Sequence, residues 1–297
     1  MEKEQYTSKV LTNLRSVKNS KLSLSSKYLC PICLEPCSID ELTDEHVPQH
    51  SLGGHKMTLT CRNCNSKSGS EVDVYLTNAI EQKERKLFLP GTDRKTKVLG
   101  EESYLNSSIR ITPDGIELVI NPKRNNPEVW NHYQHNVLKK GSNINVNDYL
   151  KKQNPNRCFA AILKNAYLML FARTGYTFLL DSTYDRLRYQ IRNPEDLVIP
   201  KSMCFISDNR KITDGIYIIH DNECRGFLIS YSLKIKVTHY AICFIPTPMV
   251  DYDYACYVLL HKNGVALERL PEEMDFISDI DAIERLRTWC YSWRPYF

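Results

Sequence analysis

The sequence predicts an α+β protein: an N-terminal module stapled by zinc, followed by a larger C-terminal α+β domain with an antiparallel sheet. Two Cys-x2-Cys pairs stand 27 residues apart near the N-terminus. Apolar residues at helical spacing mark several helices along the chain. Beyond Pro200 the pattern turns to short β-branched and aromatic runs separated by turn residues. The 297 residues are 42% hydrophobic and 25% charged, enough apolar material for a core. Eleven Gly and 14 Pro are too few for a collagen-like or low-complexity chain.

Residues 1–27 carry six basic and two acidic side chains, with Val10, Leu11, Leu14 and Val17 spaced as one helix face; they read as an N-terminal amphipathic helix and linker. The Cys-rich module occupies 28–90: a CPIC turn, LTDEHVPQH, an SLGG loop, a short apolar strand MTLT, then CRNCN. A helix marked by Val72, Leu76, Ala79 and Lys83 closes it and stops at Pro90-Gly91. The basic stretch 81–100 reads as a solvated connector, with a boundary near 90–105 and the larger domain over 105–297.

Within that domain IRITPDGIELVI predicts a β-hairpin around Pro113-Asp114-Gly115. Cys158–Thr174 predicts an apolar helix capped by Gly175, and Ser182–Ile191 a shorter amphipathic one ended before Asn193-Pro194. CFIS, GIYIIH, CRGFLISYSL, HYAICFIP and YACYVLLHKNGVAL read as strands of an antiparallel sheet. No internal repeat is found.

The longest apolar stretches, Ala166 to Ala172 and Tyr254 to Leu260, have seven residues each, against the ~20 that a membrane-spanning helix needs. The N-terminal segment lacks the apolar core of a secretory signal. No membrane partner is expected, and the expected location is the cytoplasm. A net charge of +4 permits an anionic partner without requiring one. Of 11 cysteines, five cluster at Cys30, Cys33, Cys37, Cys61 and Cys64. Cys158, Cys204, Cys224, Cys243, Cys256 and Cys290 lie apart in apolar surroundings and read as core packing.

The four thiolates of Cys30, Cys33, Cys61 and Cys64 can converge tetrahedrally on one Zn²⁺. A short turn brings two sulfurs to one side and leaves backbone amides to support them. Cys37 has no pair and reads as packed around that site. A four-cysteine site is closed, so it holds a fold together and does no chemistry. Any chemistry must lie between the pairs, in Thr43 to His50 and the SLGG loop, and at Asn65 just after them.

EHVPQHSLGG, followed by an apolar strand and CRNCNSKSG, resembles the HNH endonuclease family in its zinc-knuckle subgroup, over about residues 28–80. The resemblance implies a ββα-metal finger in which Glu45 is a ligand for a catalytic Mg²⁺ or Mn²⁺, His46 the general base, and Asn65 the second ligand. The middle motif position, commonly Asn, falls on Lys56. That departure leaves Lys56 or His55 to brace the histidine loop, or the loop to be held differently. The chemistry of the residues agrees: phosphodiester hydrolysis needs a base titrating near neutrality, which a histidine supplies, and positive charge from a hard cation on oxygen ligands. Outside this setting a lone histidine is most often structural. Adjacent Glu and His on a strand face opposite ways, so curvature or the loop start must bring them to one cleft.

His50 and His55 are further candidates that contact phosphate, replace a ligand or sit in solvent. Asp73 is either another carboxylate of the site or a partner of the helix dipole. Lys56, Arg62 and Lys67 would line a phosphate-binding face. Trp289 and Trp293, among Arg285, Arg287 and Arg294, either stack on bases or belong to core and rim. The expected activity is metal-dependent endonucleolytic cleavage. DNA is preferred to RNA on the resemblance alone, and the chain leaves room for a homo-oligomer. A prokaryotic restriction or anti-phage defence role fits such a nuclease joined to an unassigned domain. The alternative is a non-catalytic zinc-ribbon module that binds nucleic acid or a partner. A RING finger, suggested by CPICLEPC, would need about eight ligands, and after Cys64 the next cysteine is Cys158.

Overall fold

The computed structural model describes residues 2–17, 22, 25–87, 93–99, 103–137, 144–148, 151–209, 212–219, 221 and 223–292. Pro90-Gly91, Trp293 and Arg294 lie outside the described residues. Helix α1 (Lys3–Ser16) buries Tyr6, Val10 and Leu14 along one face, as the apolar spacing predicts. Strands β1 (Tyr28–Leu29) and β2 (Pro36–Cys37) pair antiparallel around the first cysteine turn. Strands β3 (Leu42–Val47) and β4 (His55–Cys61) form an antiparallel hairpin.

From the end of β4 the chain enters α2 (Arg62–Ser68), whose first turn is capped by the Cys61 sulfur accepting from the Cys64 amide. A π-helical turn at Gly69–Asp73 joins α2 to α3 (Val74–Leu87). The helix expected around Val72 to Lys83 is thus a π-helical turn followed by α3, and α2 arises on the second knuckle, where no helix was expected.

Strands β5 (Asp93–Leu99), β6 (Tyr104–Thr112) and β7 (Gly115–Ile120) come next, then α4 (Pro127–His132) and β8 (Asn145–Asp148). β6 and β7 form the hairpin expected around Pro113-Asp114-Gly115, with Thr112 opposite Gly115. β5 arises in the stretch read as a solvated connector, because Thr96 and Val98 are buried between neighbouring strands.

Helix α5 (Pro155–Thr174) is buried for most of its length. Asn154 caps its start by accepting from the Asn156 and Arg157 amides, Pro155 occupies the first helical position, and Gly175 ends it at φ 57°. The chain continues with α6 (Thr183–Arg192), β9 (Cys204–Ser207), β10 (Gly215–Ile219), β11 (Gly226–Lys234) and β12 (Thr238–Pro246). It ends in α7 (Tyr252–His261), β13 (Leu267–Arg269) and α8 (Ile280–Ser292). The segment YACYVLLH, read as a strand, is α7: the Asp251 carboxylate accepts the Asp253 and Tyr254 amides, and Tyr252, Ala255, Cys256 and Val258 form a buried helical face.

All strand pairings are antiparallel, with sheet orders β13-β10-β11-β12-β9 and β7-β6-β5-β8 beside the two short pairs. The molecule is thus of mixed helix and antiparallel sheet. It divides into two compact units, one of residues 1–77 with 154–297 and one of residues 78–153. In the second unit Val98, Leu105 and Tyr133 make a small core, with Leu118, Val129 and Trp130 packed against it. In the first, the cysteine-rich module and the residues from 154 onward share one unit. Tyr167 of α5 donates to the Pro31 carbonyl at 2.8 Å. Tyr176 accepts from the Leu29 amide and donates to the Leu29 carbonyl. No described helix is long and apolar enough to cross a membrane.

Candidate active site and metal centre

The sulfurs of Cys30, Cys33, Cys61 and Cys64 all lie within 4.8 Å of one another. Cys33 Sγ and Cys61 Sγ are 3.9 Å apart, close to the ~3.8 Å edge of a tetrahedron with Zn–S bonds of about 2.3 Å. The Cys61 amide donates to Cys30 Sγ at 3.4 Å and the Cys64 amide to Cys61 Sγ at 3.3 Å, the support that knuckle sulfurs need. Hydrogen bonding from the Cys30 thiol holds Cys61 down to about 6 and also lowers Cys33. The donor set fits a structural zinc. Cys37 stands outside it: its thiol is buried, donates to the Glu35 carbonyl at 3.3 Å, and is pushed up to about 11 by burial.

The register of the β3–β4 hairpin shifts between Glu45 and His46, the local bend needed to turn two adjacent side chains away from strict alternation. His46 is half-buried, and its ring meets that of His50 edge-on with centroids 5.7 Å apart. Neither ring nitrogen of His46 has a hydrogen-bond partner among the described residues. Asn65, in the first turns of α2, donates through Nδ2 to Thr43 Oγ1 at 2.9 Å and to the Asp44 carbonyl at 3.1 Å. Its amide is thereby fixed on β3, and its Oδ1 accepts no bond from the described residues.

Lys56, at the motif position that departs from Asn, reaches across the hairpin to Asp44 Oδ2 at 2.7 Å, and this bond lowers the Asp44 carboxyl. It ties β4 to the strand that carries the histidine. The loop after His46 is shaped by glycine: a Cβ on Gly54 would fall 1.4 Å from the Pro48 carbonyl oxygen, and Gly53 has φ +85°. His50 and His55 are both exposed. Arg62 and Lys67 line a cleft of about 910 Å³ together with Cys33, Cys61 and Arg192. That cleft is also lined by Glu35, Asp40, Glu41 and Glu71, and neither Lys56 nor His46 is among its walls. Trp289 packs edge-on to Phe227 at 5.4 Å beneath the Arg225 guanidinium, so its ring is a packing element.

Glu45 is 2% exposed. Its Oε2 accepts from Thr60 Oγ1 at 2.9 Å and its Oε1 from Lys164 Nζ at 2.9 Å. The same ammonium donates to Asp73 Oδ2 at 2.6 Å. Lys164, on α5, is fully buried. Burial alone would push it down, and the two carboxylates outweigh burial and hold it above its ordinary value. Asp73 is raised, by burial first and by Glu45 as well, against the pull of Lys164.

Two carboxyl groups share one ammonium, and Asp73 Oδ1 is buried with no partner among the described residues. Each Glu45 oxygen also keeps a second lone pair. Glu45, Asp73 and Asn65 offer oxygens of the hard type that divalent cations take, while the group of metal-ligating side chains that the described residues bring together is Cys30, Cys33, Cys61 and Cys64. Gln49 supports the cluster by donating to the Asp73 carbonyl at 2.8 Å and to Thr77 Oγ1 at 3.2 Å.

Lys164 is the residue of the candidate cluster that the sequence did not single out, and Gln49 lies in the Thr43–His50 segment without a role assigned to it there. The signal for Lys164 was one cation within CFAAILKNAYLMLF, where it has no polar face to occupy.

Residues 30–81 match the model of a family described as HNH endonuclease. Over that segment, which includes the four clustered cysteines, the chain is similar to nuclease-type modules at the level of family. No curated protein and no solved structure matches the chain.

Proposed function

We propose that the protein is a metal-dependent HNH endonuclease hydrolysing phosphodiester bonds, with DNA as substrate. One observation carries the reading: a half-buried histidine with both ring nitrogens unengaged sits at the bend of a hairpin whose far end is clamped by four clustered cysteines. His46 accepts the proton of the attacking water, a task suited to an imidazole. The Glu45 carboxylate and the Asn65 amide oxygen would hold Mg²⁺ or Mn²⁺, with Asp73 contributing its charge nearby. A bound ion supplies the positive charge that phosphodiester cleavage requires.

The chain's own groups do the rest. Lys56 and Asp44 tie the strands, and Gln49 and the glycine loop fix the segment after His46. Restriction or anti-phage defence suits such an enzyme, and steady cleavage of host DNA without any trigger or modification would speak against it.

The test is incubation of the purified protein and of His46→Ala with supercoiled plasmid, in Mg²⁺, Mn²⁺ or EDTA, with zinc determined by elemental analysis. Cleavage that needs both the divalent ion and His46, from a protein with one zinc per chain, is expected. Tight binding with no cleavage and no divalent-ion requirement would instead establish a zinc-ribbon binder.

A further inference from the structure

We propose that Lys164 is a positioning residue of the nuclease centre, delivered by α5 from outside the matched segment to fix Glu45 and Asp73 in one buried cluster. The inference rests on the nuclease reading and names a part of that centre which residues 30–81 do not contain. A lysine with no exposed surface persists only where its charge is matched and its donors are used. Lys164 meets both conditions on two carboxylates, at 2.9 Å to Glu45 and 2.6 Å to Asp73.

A purely structural ion pair would be neutral and satisfied. This cluster sets two carboxyl groups on one ammonium and leaves Asp73 Oδ1 buried without a partner among the described residues. Its location is equally pointed. Glu45 directly precedes His46, and Asp73 ends the turn that follows the Asn65 helix. The next residue on α5, Asn165, donates to Gln49 Oε1 at 3.5 Å, and Gln49 in turn holds the Asp73 carbonyl. Successive residues of one helix thus reach the strand before the histidine and the loop after it. Lys164 acts through these groups and touches no reacting atom.

The experiment compares full-length wild type, Lys164→Met, Lys164→Arg and the His46→Ala control. It follows plasmid cleavage with kcat and KM resolved, Mn²⁺ affinity by calorimetric titration, zinc content and thermal melting. Lys164→Met is expected to keep its zinc and a cooperative melt and to bind Mn²⁺ at least as tightly as wild type, because a competing cation is gone. It should nevertheless cleave ~100-fold more slowly at unchanged KM, the order of loss that a misplaced catalytic group produces.

Cleavage by Lys164→Met within threefold of wild type would overturn the proposal and leave the nuclease reading standing. If Lys164→Met fails to fold, Lys164→Arg decides. It keeps the charge and therefore the Mn²⁺ affinity, yet loses about tenfold in kcat, and an undiminished kcat would refute the positioning role. If wild type cleaves nothing, the nuclease reading fails, and Mn²⁺ titration alone tests the cluster: binding by Lys164→Met at least as tight as that of wild type supports it and weaker binding refutes it.

Discussion

At the scale of single residues, His46 and Glu45 are neighbours in sequence with opposite surroundings. Among the described residues neither ring nitrogen of the histidine has a partner, whereas the glutamate is buried and bonded through both oxygens. His46→Ala should therefore retain zinc and fold while losing on the order of 10²–10⁴ in cleavage rate, the usual contribution of a general base. Gly54→Ala makes a different test, since its methyl group would occupy the place of the Pro48 carbonyl oxygen. Destabilisation of about 1–3 kcal/mol in a urea melt is expected, the typical cost of overpacking, with cleavage falling as the loop after His46 shifts. Stability equal to wild type would show that the loop tolerates a backbone shift there.

At the scale of elements, the zinc knuckle is anchored on both sides. Cys61 ends β4, caps α2 and belongs to the four-sulfur cluster, so metal, strand and helix depend on one side chain. Chelation, or acid that protonates the thiolates, should release one zinc per chain and unfold the hairpin, seen as a lost melting transition together with the elemental analysis. On the opposite side Tyr176 satisfies both backbone groups of Leu29. Tyr176→Phe leaves them buried and unpaired, and about 1–3 kcal/mol of stability should be lost for each.

Elements were legible wherever local pattern decided them. The two cysteine pairs, the Pro-Asp-Gly hairpin and the helix ended by Gly175 follow from turn chemistry and periodicity. YACYVLLH was misread because a short apolar run fits strand and helix equally, and the deciding feature was the Asp251 cap. For the candidate site, the motif pointed to His46, Asn65 and Lys56. The partner of Glu45 could not be read locally, because it lies 119 residues away.

At the scale of the molecule, the unit that holds the zinc knuckle also holds the helix that buries Lys164, and the 78–153 unit is inserted between them in sequence. A fragment of residues 1–90 would lack Lys164, Tyr167 and Tyr176, and with them the partners of Glu45, Asp73, Pro31 and Leu29. Such a fragment should bind zinc yet cleave no plasmid. It should also show fast amide exchange in the β3–β4 hairpin, where the full chain is protected. Cleavage by the fragment at the full-length rate would show that residues 28–90 are self-sufficient.

The distance along the chain from Glu45 to Lys164 also sets an order of events during synthesis. A ribosome moving at about 5–20 residues per second needs roughly 6–24 seconds to travel those 119 residues. Once Cys64 is made the nascent hairpin has its cysteines and its histidine, and the cation that fixes the neighbouring carboxylate has yet to follow. Assembly of the Glu45–Asp73–Lys164 cluster is thereby deferred until α5 has left the exit tunnel, and chains abandoned before α5 never acquire it.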